Sequence, residues 1–424
     1  MVIRSGSNSH TLKRNIGFLF VSLCIFYSIY VAFLIHTPTT LNDLEFSTTH
    51  NHLFRLLTNQ HNKKHVTTSN IVFSPLSIDT VLRPVAVGSS GETLKQFLSY
   101  LKAQSIDEIN FRSLRVSSVL GDGSPFGGPR LSYANGVWVD QTISFHPYFE
   151  HAVKILHNAT CMQGDFKNKP AEVADEVNLW VEKQTSGMIK DILPADAVST
   201  ETALMLANAL YFKGVWKEKF DRSMTKLHDF HRLDGTTVQV PYMTTNSKQI
   251  LCQYDGFKVL GLPYEQGEDK RHFTMYFYLP DKSDDLQNLV EKIDSKADFF
   301  KSYIPSKKVE VEEVMIPKFK ISYGFEASNM LKELGLVLPF IPGGLTNMVN
   351  SSSRGKDLYI SSIHHKSFVE VNEEGTEAAA ATTVSIVNSL KMEFIASHPF
   401  LIVIREDMSA TVLFIGQVVD PSVS

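Results

Sequence analysis

Residues 373–387 read EEGTEAAAATTVSIV, a run of mostly small residues that fits neither regular secondary structure well. Alanine is the best helix former, so residues 377–381 taken alone favour a helix. A glycine precedes them, β-branched residues 382–384 follow them, and no large apolar side chain anchors them. The local alternatives are therefore an alanine-rich surface helix, a linker, or a segment that becomes a strand.

Treated as an extended strand, this stretch divides its side chains between two faces, because successive residues of a strand point to opposite sides. One face carries no charge, and the only charge between 375 and 389, Glu377, lies on the other. Such a segment can lie in water as a loop and then enter a sheet without burying a charge, with Gly375 as a permissive pivot. The uncharged face holds Thr376, Ala378, Ala380, Thr382, Val384, Ile386 and Asn388.

The composition around this stretch is that of an ordinary globular protein. Of the 424 residues, 43% are hydrophobic and 20% charged, which is enough apolar material for a large core. A formal net charge of −4 gives no reason to expect nucleic-acid binding. Cys24, Cys161 and Cys252 have neither metal-like spacing nor the number that a disulfide framework needs.

The N-terminus differs from the rest of the chain. Residues 16–35 form an uncharged apolar run of 20, about the length that spans a bilayer, and three basic residues precede it. This pattern predicts a basic tail at 1–15, a transmembrane signal-anchor at 16–36, and one domain at 37–424 on the luminal or extracellular side. A cleaved signal with secretion is an alternative, as is a cytoplasmic protein whose apolar run is a gene-model artefact.

Secondary-structure patterns predict an α+β fold, with helices gathered early and strands late. Ser74-Pro75 has the form of a helix cap followed by a first turn. The glycine- and proline-rich residues 121–130 are predicted to be a surface connection. Apolar residues at three- and four-residue steps predict helices at 44–57, 74–87, 90–101 and 171–185. Apolar and alternating runs predict strands at 238–243, 258–264, 273–280, 311–319, 400–407 and 412–419.

Motifs for catalysis are missing from the sequence. It has no G-x-S-x-G, H-E-x-x-H, P-loop or G-x-G-x-x-G motif, which argues against an enzyme. His364 and His365 precede an acidic cluster, but a third ligand at helical or strand spacing is missing, so neither a metal nor a cofactor is predicted. Asn158 and Asn350 begin glycosylation sequons, which matter only if the domain is luminal.

Several dispersed motifs resemble those of the serpins, and of the plant branch in particular, from about residue 41 onward. The stretch FVEVNEEGTEAAAATT (368–383) resembles the hinge that leads into the family's reactive-centre loop. HPFLIVI (398–404) and VLFIGQVVDP (412–421) resemble its C-terminal signature. Further motifs in the family's order are NIVFSPLSI (70–78), DGSPFGGPRLSYANGVWVD (122–140), ANALYFKGVWKEKF (207–220), LPYEQG (262–267) and VMIPKFKI (314–321).

The resemblance implies the serpin fold, with three β-sheets, eight or nine helices and an exposed reactive-centre loop at about 375–394. It also implies a monomeric, single-use inhibitor rather than an enzyme. A serine or cysteine protease attacks the loop, forms an acyl-enzyme, and is held covalently while the cleaved loop inserts into the main sheet. The alternative is a non-inhibitory serpin with a storage, transport or chaperone role. A charge or bulky residue on the inserting face would favour that alternative, and this hinge has none there.

The resemblance also assigns roles to residues of the loop. Counting the family's usual loop length from Gly375 places the scissile bond at Ser389–Leu390. Lys391 is a rival position, and cleavage after it would indicate a trypsin-like target. The matching hinge residues are Glu374, Gly375 and Thr376, followed by the inserting residues Ala378, Ala379, Ala380, Ala381 and Thr382.

A second group of residues matches positions around the opening of the main sheet. Ser74, Ser77, Asn208 and His365 match a polar cluster beneath the point where the sheet opens. Trp216 matches a tryptophan near the top of the opening. For His365 this role, a buried histidine that stabilises the closed sheet, replaces the metal interpretation.

Overall fold

The computed structural model describes residues 48–63, 69–350, 357–373 and 392–423. These residues belong to one compact unit. No helix in the described part of the chain is long and apolar enough to span a bilayer. The predicted anchor at 16–36 lies outside the described residues.

Nine α-helices occur in the described ranges, and they include all four that the sequence predicts. Ser74 caps α2 as predicted: its Oγ accepts a hydrogen bond from the backbone N–H of Ser77 at 3.1 Å, and Pro75 occupies the first helical position. The helices are α1 (Thr48–Lys63), α2 (Pro75–Val87), α3 (Gly91–Tyr100), α4 (Ile106–Val119), α5 (Pro147–Leu156), α6 (Pro170–Gln184), α7 (Leu286–Ser295), α8 (Phe299–Ser302) and α9 (Ser328–Glu333).

The described strands form three sheets, so the α+β prediction with three sheets and eight or nine helices is confirmed. The five-stranded sheet has the order β12-β13-β4-β2-β3, with β2 (Arg130–Asp140), β3 (Thr160–Gly164), β4 (Leu204–Lys213), β12 (Phe319–Glu326) and β13 (Ile360–Val371). The seven-stranded sheet contains β1 (Ile71–Phe73), β7 (Gln249–Tyr254), β8 (Phe257–Pro263), β9 (Phe273–Pro280), β10 (Lys308–Val309), β15 (Phe400–Glu406) and β16 (Thr411–Val418). The four-stranded sheet contains β5 (Lys226–His231), β6 (Thr237–Thr245), β11 (Val311–Pro317) and β14 (Met392–Ile395).

Strands β13 and β4 pair in parallel at the centre of the five-stranded sheet, and we call this pairing the β4–β13 seam. The register runs from Ser362 opposite Met205 to Phe368 opposite Tyr211. On their other sides both strands have antiparallel neighbours, β12 and β2. The seam is therefore a parallel junction between two antiparallel pairs, β12–β13 and β4–β2, and β2 pairs in parallel with the edge strand β3.

Helix α2 packs against the five-stranded sheet and passes through Pro84 without ending. Proline has no N–H, so the carbonyl of Thr80, four residues earlier, loses its usual helical donor. The side-chain amide of Asn135 on β2 supplies the missing donor at 2.9 Å. A contact between distant parts of the chain thus satisfies the carbonyl that the proline leaves free.

The opposite face of the five-stranded sheet is covered by α6 and the chain that follows it. Val173, Val177 and Val181 of α6 belong to one buried cluster with Met205 and Ala207 of β4. Apolar side chains of residues 185–203 belong to the same cluster. Both faces of the seam are therefore packed.

Candidate functional site

Four of the predicted residues meet at the β4–β13 seam in one buried hydrogen-bonded cluster. The Oδ1 atom of Asn208 accepts hydrogen bonds from Ser77 Oγ at 2.6 Å and from His365 Nδ1 at 2.7 Å. The Nε2 atom of His365 accepts from the backbone N–H of Ser74 at 3.2 Å and from Ser367 Oγ at 2.8 Å. All five residues are buried. Ser367 was not predicted from the sequence to belong to this cluster. It lies two residues after His365 and therefore on the same face of β13.

The hydrogen bonds fix the protonation state of His365. A backbone N–H can only donate, so Nε2 must be unprotonated and the imidazole proton lies on Nδ1. Burial lowers the pKa of His365 to about 3, so the ring is neutral at physiological pH. The ring also lies edge-on to Phe325, with centroids 5.6 Å apart. His365 is thus a neutral residue that donates to one strand and accepts from the start of α2.

The cluster crosses the seam itself. His365 on β13 and Asn208 on β4 are direct partners in the register, and their side chains are joined by the 2.7 Å bond. Neighbouring strands lie about 4.8 Å apart, so a strand placed between these two would separate them to roughly 10 Å. The His365–Asn208 bond cannot survive that separation. The His365–Asn208 bond therefore requires that β4 and β13 pair directly.

Trp216 does not join this cluster and lies instead at the end of β13. Its Nε1–H donates to the carbonyl of Asn372 at 2.8 Å, and its ring stacks on Tyr264 with centroids 4.5 Å apart. Asn372 follows the last residue of β13 directly. Trp216 therefore holds the backbone two residues before the predicted hinge residue Glu374.

Glu373 is a buried residue of this region that sequence reasoning missed. Its carboxylate accepts from Thr225 Oγ1 at 2.8 Å and lies 2.7 Å from Lys318 Nζ. Burial opposes the ionisation of Glu373, but the bonds from Lys318 and Thr225 outweigh it and lower the pKa of the carboxyl. Nothing in the sequence distinguishes Glu373 from Glu374, and Lys318 lies far away along the chain. Glu373 and Trp216 together fix the chain where β13 ends.

The outer face of the seam has a separate polar contact. Lys366 Nζ on β13 donates to the carbonyls of Lys190 at 2.7 Å and Asp191 at 3.2 Å, which belong to the chain after α6. Further along the same face, the rings of Phe368 and Tyr211 meet across the seam with centroids 5.4 Å apart. Separating the two strands disturbs contacts on both faces of the sheet.

The predicted hinge and scissile bond lie outside the described residues. Strand β13 precedes this segment in the chain. Strand β14, which pairs in parallel with β11, follows it. The segment therefore joins two different sheets. Within the described ranges, no group of three or more His, Cys, Asp or Glu side chains could hold a metal. The predicted residues that lie outside are Glu374, Gly375, Thr376, Ala378, Ala379, Ala380, Ala381, Thr382, Ser389, Leu390 and Lys391.

We expect the native protein to lose stability as the pH falls below about 6.5. The pKa of His365 is about 3 in the fold against 6.5 ordinarily, so the unfolded chain takes up the proton first. This one group can contribute up to about 1.4 kcal/mol per pH unit between those values. The pKa of Glu373 is also lowered, so protonation of this carboxyl adds a further loss of stability at lower pH.

Melting temperatures between pH 7.5 and 4.5 test this expectation, with His365→Phe as the comparison. The variant should show a shallower dependence on pH. It should still show some, because burial also lowers the pKa of His157 to about 3. Equal slopes for the variant and the parent would show that His365 is not a source of the acid sensitivity.

Glu373→Gln is expected to destabilise the uncleaved protein by about 1–2 kcal/mol, because it removes the charge that pairs with Lys318. Lys318 remains one-third exposed, which keeps the expected loss small. Urea denaturation measures the change. Glu370→Gln is the matched control, since Glu370 lies three residues earlier, on β13, and is exposed. Equal shifts for the two variants would contradict a special role for Glu373.

Comparisons with known proteins agree with this architecture. The Serpin family, described as serine protease inhibitor, matches residues 48–421. Serpin-ZX of Arabidopsis thaliana is 53% identical over 371 residues, covering 84% of this chain and 95% of that protein. Serpin-Z7 of Hordeum vulgare is 46% identical over 396 residues, covering 91% and 99%.

Solved structures show the same likeness. The structure of Arabidopsis AtSerpin1 in the native stressed conformation has a TM-score of 0.81 and 48% identity, covering 89% of this chain and all of that one. Native protease nexin-1 with heparin has a TM-score of 0.77 and 26% identity, covering 90% of this chain and all of that one.

Proposed function

Because the chain belongs to the serpin family of serine protease inhibitors, we propose that it inhibits its target irreversibly as a suicide substrate. The nucleophile of a serine or cysteine protease attacks the carbonyl of the scissile residue, and the new amino terminus leaves. The resulting ester or thioester joins the protease to the freed end of the loop. Insertion of that loop into the five-stranded sheet then carries the protease away from the geometry that hydrolysis needs.

The parallel β4–β13 seam is the observation that supports this proposal most directly. A segment that leaves the end of β13 and folds back beside it must run antiparallel to β13. Because β4 is parallel to β13, the same segment is antiparallel to β4 as well. Insertion thus exchanges one parallel ladder for two antiparallel ladders, which are the more stable type per residue.

The energy of this exchange is large enough to drive an irreversible step. About a dozen new backbone hydrogen bonds at a net ~1 kcal/mol each give on the order of ten kcal/mol. The bond between His365 and Asn208 opposes opening. Loss of that cluster costs only a few kcal/mol. The loss of that cluster therefore offsets only part of the gain from insertion.

We assign the scissile bond to Ser389–Leu390, with Lys391 as the rival position. Cleavage after Ser389 suits a protease with a small or medium apolar pocket, whereas cleavage after Lys391 suits a trypsin-like one. The uncharged face from Thr376 to Asn388 favours inhibition over a storage, transport or chaperone role, since no charge on it opposes insertion.

Incubation with a panel of serine and cysteine proteases tests the proposal. We expect a covalent complex that survives denaturing electrophoresis with at least one of them. Mass spectrometry of the released C-terminal fragment then distinguishes the two bonds, because cleavage after Ser389 leaves Leu390 as its first residue. Cleavage of the loop without any covalent complex would indicate a non-inhibitory serpin.

We also propose that residues 16–36 anchor the protein in a membrane, with the serpin domain on the luminal or extracellular side. The length of the apolar run and the basic residues before it support this arrangement. Carbonate extraction and protease protection of the full chain in microsomes test it. A soluble, protease-accessible chain would indicate a cytoplasmic protein, and a protected chain that carbonate releases would indicate secretion.

A further inference from the structure

A surface turn between α5 and β3 contains a complete sequon, Asn158-Ala159-Thr160. Asn158 and Thr160 are both exposed, whereas the flanking residues His157 and Ala159 are buried and hold the turn in place. Asn158 has a positive φ of 46°, a conformation that asparagine adopts more readily than most residues with a side chain. The acceptor side chain and the hydroxyl that the sequon requires thus both lie at the surface.

We propose that Asn158 carries an N-linked glycan. This inference rests on the proposed luminal location of the domain. Transfer from a lipid-linked oligosaccharide pyrophosphate forms a bond from Nδ2 to the anomeric carbon, while the bond from that carbon to the pyrophosphate breaks and Nδ2 loses one proton. The amide retains its second N–H, so it can still donate to Tyr133 Oη, which lies 2.8 Å from Nδ2.

The first residue of the other sequon, Asn350, is also exposed. The side-chain amide of Asn350 donates to the carbonyl of Phe145 at 3.3 Å, and its backbone N–H donates to the carbonyl of Ser144 at 2.9 Å. Both bonds tie Asn350 to the chain just before α5. The remaining residues of that sequon lie outside the described part of the chain. Among the described residues, only the sequon at Asn158 has both its asparagine and its hydroxyl residue at the surface, so the proposal is made for Asn158.

The position of Asn158 gives the glycan a physical role. Strand β3, which starts at Thr160, forms one edge of the five-stranded sheet and pairs only with β2 among the described strands. An open edge can pair with a strand of another molecule, and proteins cover such edges to prevent association. A glycan two residues before this edge shields it.

The same position leaves loop insertion unobstructed. Strand β2 separates β3 from β4, so the glycosylated edge lies roughly 10 Å from the nearer strand of the seam. A modification there lies outside the space that a new strand between β4 and β13 would take. Asn158 is therefore compatible with inhibition, and its modification can be tested independently of inhibitory activity.

The test is translation of the full chain with microsomes, followed by endoglycosidase treatment and protease protection. We expect one endoglycosidase-sensitive shift, which is lost in Asn158→Gln and also in Thr160→Ala, and which remains in Asn350→Gln. Thr160→Ala matters because it keeps the asparagine and removes the hydroxyl that the sequon needs.

Each other result overturns a different statement. A protected chain without the shift overturns glycosylation at Asn158 and leaves the location intact. A shift that only Asn350→Gln removes would show that Asn350, and not Asn158, carries the glycan. A chain that stays accessible to protease overturns the luminal location and the modification with it. None of these results depends on whether the protein inhibits a protease.

Discussion

Thr376→Arg is expected to convert the protein from an inhibitor of its target protease into a substrate. Thr376 is the first residue on the uncharged face of the stretch that we propose enters the sheet. An arginine there must leave water when the segment inserts between β13 and β4, and a buried cation without a partner costs several kcal/mol. A barrier higher by only about 1.4 kcal/mol slows insertion tenfold. Hydrolysis of the acyl-enzyme then precedes insertion, and the protease is released.

Glu377→Arg provides the matched control for this change. It introduces the same side chain one residue later, on the face that already carries a charge, so inhibition should persist. Denaturing gels of each variant with the target protease give the fraction of covalent complex against the fraction of cleaved serpin. Thr376→Arg should give cleavage with little complex, and Glu377→Arg should give complex at the parent's level.

Melting temperatures of the two variants test whether the arginine affects the native protein or only the inserted state. Before cleavage, both variants should melt at the parent's temperature, because the expected effect belongs to the inserted state. If Thr376→Arg forms complex as efficiently as the parent, the assignment of faces from Thr376 to Asn388 is wrong. If both variants form equally little covalent complex, the added positive charge weakens recognition of the loop by the protease, and insertion is not the step affected.

Some elements could be predicted from sequence because their signals are local. The Ser74-Pro75 cap, the helix at 74–87 and the apolar strands of the second half each follow from residues that are close together in the chain. Strand β4 was missed because LMLANALYFK is rich in leucine, methionine and alanine, which favour a helix, and contains no β-branched residue. Pro84 shows that a local signal can also mislead. Proline disfavours a helix, but the helix continues through Pro84 because Asn135 from β2 donates to the carbonyl that the proline leaves free.

The candidate site was predictable only in part, for the same reason. The resemblance to serpins named Ser74, Ser77, Asn208 and His365, and the structure brings these together through side-chain bonds between distant segments. The pairing of Glu373 with Lys318 left no trace in the sequence, because charged residues are common at such positions. Tertiary contacts decide which of several similar polar residues becomes buried.

His365→Phe is expected to lower the free energy of unfolding of the closed state by about 2–4 kcal/mol. The phenyl ring keeps most of the volume and removes both ring nitrogens. The backbone N–H of Ser74 and the hydroxyl of Ser367 then lose their acceptor in a buried place, and Asn208 loses one of its two donors. Leaving buried polar groups unpaired costs more than the removed bond alone contributes.

The adjacent residue gives a close control, because His364 lies on the opposite face of β13. Its Nε2 is buried and has no hydrogen-bond partner among the described residues, and burial lowers its pKa as well. His364→Phe therefore removes a polar atom that gains nothing from the fold, and the free energy of unfolding should change by less than about 1 kcal/mol. Urea denaturation of the two variants compares the same substitution at neighbouring positions.

Combining His365→Phe with Asn208→Ala separates the role of the cluster from that of packing. Once Asn208 is gone, His365 has already lost its acceptor across the seam, so the double variant should be less destabilised than the sum of the two single variants. Because this bond joins β4 to β13, the single variants should also lose inhibitory activity faster on storage, through insertion of the uncleaved loop. Additive free energies would show that the residues act independently. Storage lifetimes equal to the parent's would show that the cluster stabilises the fold without controlling the opening of the seam.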